Sequence, residues 1–201
     1  MPAPDLTRLQ AAFAVILNAI GAELPDLVLQ RTPERAARAL CELTAGHRTD
    51  AGQLAQLVQR ADHALDESAR RTCRGDGLVA LRELAFIGLC RDHLQPFSGH
   101  ASIAYQPQRD GDSLTLLEGG SVAELVRVLG RRLQLPELLA LDLVRALGQV
   151  QGVAGVLVRL RTDQICPGHR GLAQQSMIVT EEASGTLRDI GVAARARQLL
   201  D

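Results

Sequence analysis

Cys90-Arg91-Asp92-His93-Leu94-Gln95-Pro96-Phe97 is the stretch on which the reading of the chain turns. A thiol and an imidazole stand three positions apart, directly after the apolar run Leu84, Ala85, Phe86, Ile87 and Leu89. A second thiol, Cys166, follows another apolar alternation and runs into Pro167-Gly168-His169-Arg170-Gly171. Zinc favours thiolate sulfur and imidazole nitrogen, and Cys90, His93 and Cys166 make a three-ligand set that leaves one tetrahedral position for water. An open position belongs to catalytic rather than structural zinc. The spacing alone leaves an alternative open, since free cysteines are commonly buried and both thiols also read as ordinary core.

Around this stretch the chain reads as strand pairs. The segment from Leu78 to Cys90 is predicted as a strand, and Gly99 to Tyr105, with Ala101, Ile103 and Tyr105 alternating, as its hairpin partner. From Val156 to Cys166 the residues Val156, Val158, Leu160 and Thr162 share one parity, and Leu157, Arg159 and Arg161 the other. Met177 to Thr180 is the expected antiparallel partner. Gln106 to Asp112 is a turn-rich loop.

Two helices are expected between the strand pairs. One runs from Val122 to about Leu133 with Ser121 as N-cap and Glu124 near its start. The other opens at Leu135-Pro136-Glu137 and runs to about Val150, with Leu138, Leu141, Val144 and Leu147 facing inward. At the N-terminus, Leu6 to Leu24 has helical spacing, with Thr7 as a cap and Gly21 at its end. Thr32-Pro33-Glu34 opens a second helix that stops at Gly46. Asp50 to about Ala61 is a third, and Ile190 to Leu200 closes the chain. The fold class is α+β in one domain over residues 1–201, with a helical part over 1–60 and a core over 77–201.

Composition narrows the function classes. A chain of 201 residues, 46% hydrophobic and 22% charged, suffices for one domain with a sizeable core. A net charge of −1 gives no basis for binding nucleic acid or an anionic membrane. With aromatics at 2% there is no stacking platform for single strands. Every basic side chain is Arg; the sequence contains no Lys. No apolar run is long enough to span a bilayer, and Met1-Pro2-Ala3-Pro4-Asp5 lacks the basic start of a secretory signal. A cytoplasmic location with reduced thiols is expected, so Cys41, Cys73, Cys90 and Cys166 should form no disulfide framework.

Cys-x-x-His-Leu-x-Pro-Phe, followed by Gly99, Ala101 and Ala104-Tyr105-x-Pro107, resembles the GTP cyclohydrolase I family, where the segment reads C-E-H-H-L-x-P-F-x-G-x-A-x-V-A-Y-x-P. Thr32-Pro33-Glu34-Arg35-Ala36-Ala37 with Glu42-Leu43-Thr44-Ala45-Gly46 is similar to T-P-x-R-x-A…E-L-x-x-G. Arg131 to Glu137 is similar to R-R-L-Q-V-Q-E, and Cys166 to Gly171 to C-x-x-x-R-G. Four motifs stand in the family's order. The resemblance implies the tunnelling fold, in which sheets from several subunits join into a barrel. It implies sites between subunits of a ring-shaped homo-oligomer, usually a decamer. It assigns Cys90, His93 and Cys166 to zinc, Glu137 to the guanine edge and Arg170 to phosphate. Alone, Glu137 also reads as a first-turn carboxylate favoured by the helix dipole, and Arg170 as a surface ion-pair partner.

The departures lie inside the motifs. Asp92 stands at the first position of the family's His pair, and Gln164 where the family has a proton-transferring His. A carboxylate can still act as a base; neutral Gln cannot transfer protons near pH 7. Arg91 replaces a Glu, and Pro136 replaces a Gln. Ser121 and Glu124 occupy the positions of a Lys and an Arg that hold the triphosphate. Three functions follow as expectations. The first is a zinc hydrolase using metal-activated water on a heterocycle or amide that is not GTP, of a kind that would serve specialised biosynthesis. The second is GTP cyclohydrolase I activity itself, converting GTP to dihydroneopterin triphosphate and formate. The third is a catalytically silent binding or regulatory paralogue.

Overall fold

The computed structural model describes residues 3–21, 25–64, 67, 77–110, 113–164 and 176–201. Along the chain run α1 (Leu6–Ala19), α2 (Asp26–Leu43), a 3-10 turn (Ala45–Arg48), α3 (Ala51–Leu57), β1 (Arg60–Ala64), β2 (Val79–Cys90) and β3 (Pro96–Pro107). There follow β4 (Arg109–Asp110), β5 (Ser113–Leu117), α4 (Gly119–Gly130), β6 (Leu133–Gln134), α5 (Pro136–Gly148), β7 (Val153–Gln164), β8 (Ser176–Gly185) and α6 (Ile190–Leu200). The main sheet has the order β6-β2-β3-β7-β8, and a smaller one the order β1-β5-β4. Every neighbouring pair is antiparallel except β2 and β6, which run parallel through Leu89↔Leu133 and Cys90↔Gln134.

The period-2 pattern of β7 decides how the sheet is covered. Val156, Val158 and Leu160 are fully buried among Leu125 and Leu129 of α4 and Leu139, Leu143 and Leu147 of α5. Leu157, on the other parity, is equally buried with Ala104, Leu187, Ala193, Ala196 and Leu200 on the opposite face. Both faces are thus occupied, and each buried leucine contributes about 1.5–3 kcal/mol relative to an exposed one. Asp189 caps α6 by accepting from the Gly191 and Val192 amides, so that helix begins where the sequence predicts.

Several boundaries differ from the sequence reading. Helix α2 starts at Asp26, not Thr32, so Pro33 lies inside it. Packing along α1 carries the helix through Pro33, although a proline there leaves the Leu29 carbonyl without its intrahelical donor. The cap of α1 is Asp5, which accepts from the Arg8 amide at 3.0 Å, and not Thr7. Helix α4 begins at Gly119 with Glu118 in the cap position, which puts Ser121 inside the first turn. In α5 the fully buried leucines are Leu139, Leu143 and Leu147; Leu138 and Leu141 are only half-buried, because the stripe that packs on the sheet runs through 139, 143 and 147. The sequence pattern gives no sign of strands β1 and β5. Arg60–Ala64 has no apolar alternation, and it is held by its ladder to Ser113–Leu117 and by Thr115 Oγ1 donating to Asp62 at 2.6 Å.

Candidate active site

The β2–β3 connection is a tight turn that sets Cys90 and His93 side by side. The Cys90 amide donates to the Gln95 carbonyl at 2.8 Å, and the Leu94 amide to the Cys90 carbonyl at 2.9 Å. Leu94 takes a positive φ of 52° to close the turn, a conformation that costs a non-glycine residue about 1–3 kcal/mol. The Arg91 amide donates to the Gln134 carbonyl at 3.3 Å, which ties the turn to β6. Within this frame Cys90 Sγ lies 3.8 Å from His93 Nδ1, and Cys90 is 7% exposed. Sulfur and nitrogen bound to one tetrahedral zinc stand about 3.6 Å apart, given the usual bond lengths. The donor pair therefore fits the ion. Cys166, the expected third ligand, lies outside the described residues, and among those described no group of three or more candidate donors gathers.

Cys90, Asp92 and His93 open onto a cavity of about 470 Å³, within the range of small-molecule sites. Phe97, Thr162, Asp163 and Ile178 line it from the sheet, and residues 134–138 from the junction of β6 and α5. Glu137 is there because Pro136 takes the first helical position, which leaves Glu137 in the first turn of α5. Its exposed carboxylate, favoured by the helix dipole, can only accept hydrogen bonds. Gln134 is 4% exposed; its Nε2 donates to Asp142 Oδ2 at 3.0 Å and its Oε1 accepts from the Leu135 amide at 3.3 Å. Thr162 is 1% exposed, and its hydroxyl oxygen is buried without a hydrogen-bond partner among the described residues.

The remaining candidates are distributed differently. Asp92 forms an exposed 3.4 Å ion pair with Arg91. Gln164 ends β7 opposite Ser176. Ser121 is not among the residues lining the cavity; its Oγ accepts from the Gln59 amide at 2.9 Å and donates to the Glu118 carbonyl at 2.7 Å. Glu124 receives two hydrogen bonds from Arg127, which hold its carboxyl below the usual carboxylate range. Arg170 lies outside the described residues. Sequence reasoning gave no role to Gln134, Asp142 or Thr162. Gln134 stood inside the quoted Arg131–Glu137 motif, and Thr162 on the correct parity of β7, but their partners come from other elements.

The GTP cyclohydrolase I family model matches residues 9–200. The chain belongs to the GTP cyclohydrolase I family. Its α+β architecture is the tunnelling fold of that family. GTP cyclohydrolase 1 of Alkalilimnicola ehrlichii is 34% identical over 169 residues, covering 84% of this chain and 83% of the relative. That of Mycobacterium ulcerans is 31% identical over 195 residues, covering 97% and 89%. A solved structure of the archaeosine synthase QueF-like protein in the apo form aligns with 52% of this chain and 92% of its own at 21% identity and a TM-score of 0.41, too slight a likeness to bear on function. Among the described residues no helix is long and apolar enough to cross a membrane.

Proposed function

We propose that this member of the GTP cyclohydrolase I family acts on a guanine nucleotide, opening the imidazole ring by hydrolysis at C8 with loss of formate. The observation that carries the reading is the convergence of Cys90, His93, Gln134 and Glu137 on one cavity. Relatives named GTP cyclohydrolase 1 over nearly the whole chain support it.

Cys90 and His93, with Cys166, are the residues that would hold zinc. When bound, zinc supplies Lewis-acid activation of water at neutral pH. Glu137 accepts from the N–H groups of the guanine edge and orients the ring against the Cys90 turn. Phe97 and Ile178 give the ring an apolar bed. Asp92 is the base nearest in sequence to the metal pair, and its ion pair with Arg91 is exposed, hence weak and readily exchanged. Gln164 can donate and accept hydrogen bonds at the end of β7 but cannot carry a proton. Arg170 is the cation assigned to phosphate. Assembly into a ring-shaped homo-oligomer, a decamer by resemblance, is part of the reading. Met177 and Val179 on β8 are 61% and 59% exposed, which favours a neighbouring subunit along that strand.

A second reading is favoured by Ser121 and Glu124. With Ser121 bonded to Gln59 and Glu118 and Glu124 bonded to Arg127, neither offers a cation to a triphosphate. The substrate is then a guanine-like heterocycle carrying little phosphate. Metal analysis combined with GTP turnover separates the readings. Zinc with pterin fluorescence and formate release supports the first. Zinc without turnover supports the second, and protein without metal supports a silent paralogue.

A further inference from the structure

We propose that Asp142 is a specificity-determining positioning residue, which from behind the cavity wall fixes the end of the Gln134 amide that a substrate meets. The proposal rests on the guanine reading above and deepens it. A glutamine amide is nearly symmetric in shape, so only its partners tell its two ends apart. Here both partners agree. Asp142 offers a carboxylate oxygen, which accepts and cannot donate, and it takes Nε2–H at 3.0 Å. The Leu135 amide, which can only donate, takes Oε1 at 3.3 Å. The root of the side chain is equally fixed, because Gln134 pairs with Cys90 across β2 and β6 and its carbonyl accepts from the Arg91 amide.

An amide nitrogen carries two hydrogens. Asp142 engages one, which leaves one N–H on this wall for a ligand. Three residues on, Glu137 presents an acceptor to the same cavity. A donor beside an acceptor matches an edge with a carbonyl oxygen next to a ring N–H, as guanine has. Adenine presents an amino donor next to a ring acceptor, and meets both protein groups with the wrong sign. Asp142 itself does not line the cavity. Without it, among the described residues only the longer bond to Leu135 opposes rotation of the amide, and the oxygen can then face the ligand.

Calorimetry with guanosine and adenosine on the full-length, zinc-loaded protein tests this. The unaltered protein should prefer guanosine, and Asp142→Ala should cut that preference about tenfold, the value of one hydrogen bond at about 1.4 kcal/mol. Asp142→Asn keeps a carbonyl acceptor for Nε2–H and should retain most of the preference. Loss of affinity for both nucleosides in equal measure in Asp142→Ala marks a merely structural role and overturns the proposal. So does an unaltered protein that binds guanosine without preference. If Asp142→Ala does not fold, Gln134→Leu replaces it, and a preserved guanosine preference in that variant overturns the proposal equally. Should the unaltered protein bind neither nucleoside, the guanine reading fails and this inference with it.

Discussion

The Leu133 amide donates to Nε2 of His47 at 2.8 Å, joining the 3-10 turn after α2 to the strand beside Cys90. Arg132 strengthens the same junction by donating to the Gly46 and Thr49 carbonyls at 3.0 and 2.8 Å. As an acceptor, His47 must be neutral at Nε2. Burial, and secondarily the Arg132 charge, hold its pKa below the ordinary 6.5. Its unfolded state therefore binds a proton more readily than its folded state. The contribution is complete above about pH 6.5 and is lost as pH falls from there towards the lower folded value. Melting temperature should drop between pH 7 and 5, and His47→Gln, which keeps an acceptor but does not titrate, should flatten that part of the profile. An identical acid slope in the variant would show that His47 is not the source.

Zinc is expected at about one ion per chain through Cys90, His93 and Cys166. Cys166→Ala should abolish it, because two remaining ligands do not hold the ion tightly. Elemental analysis of the purified variant is the check, and full occupancy would defeat the ligand assignment.

Thr162→Val should stabilise the protein. The hydroxyl is buried and, among the described residues, unpartnered, and an unsatisfied buried polar group costs about 1–3 kcal/mol. Valine keeps the branched shape on a strand paired on both sides, to Gly99 and to Ile178. A rise of a few degrees in melting temperature is expected at about 2–4 °C per kcal/mol for this chain length. A fall would reveal a partner for the hydroxyl.

What was legible in advance was whatever depends on neighbours along the chain. Cys90 and His93 belong to one turn, Glu137 follows a proline that starts its helix, and the alternation of Val156, Val158, Leu160 and Thr162 marks a face. At these positions the local pattern and the tertiary environment agree on turn, helix start and strand face. Arg60–Ala64 is not legible because its partner, Ser113–Leu117, lies across three intervening strands, and its own residues carry no alternation. Thr32-Pro33 misled because proline at a first helical position is a strong local cue, and packing against α1 outweighed it. Asp142 holds Gln134 from eight residues away, around the start of α5, and no motif announces such a bond.

Phosphate should add little to binding in the natural protein. Glu124 is committed to Arg127, and because α4 begins at Gly119 it lies in the second turn rather than at the helix start, where it places a negative charge and no cation at the position matched to phosphate. GTP and guanosine should bind with affinities within a few-fold of each other by calorimetry. Ser121→Lys combined with Glu124→Arg should tighten GTP and leave guanosine unchanged. Micromolar GTP with undetectable guanosine binding in the natural protein would locate a phosphate site elsewhere, with Arg170 the first residue to test.

Proton transfer is the step on which Gln164 bears. Ring opening at C8 requires protons to be delivered and removed, and an amide at the end of β7 cannot do either near pH 7. A histidine there can, and general acid–base catalysis contributes about 10²–10⁴-fold to rate. Gln164→His should therefore raise kcat for GTP by about that factor and leave zinc content and guanosine affinity unchanged, since neither the Cys90–His93 pair nor the Gln134–Glu137 wall is altered. The acquired activity should also depend on the ionisation of the new imidazole, giving a limb in the kcat profile near neutral pH that the natural protein lacks. Stopped assays for formate and pterin across pH 5 to 9 would read both effects. An unchanged rate with zinc bound would mean that Asp92 or a water already moves the proton, and Asp92→Asn in the natural protein, expected to be silent if Asp92 is idle, would then tell which.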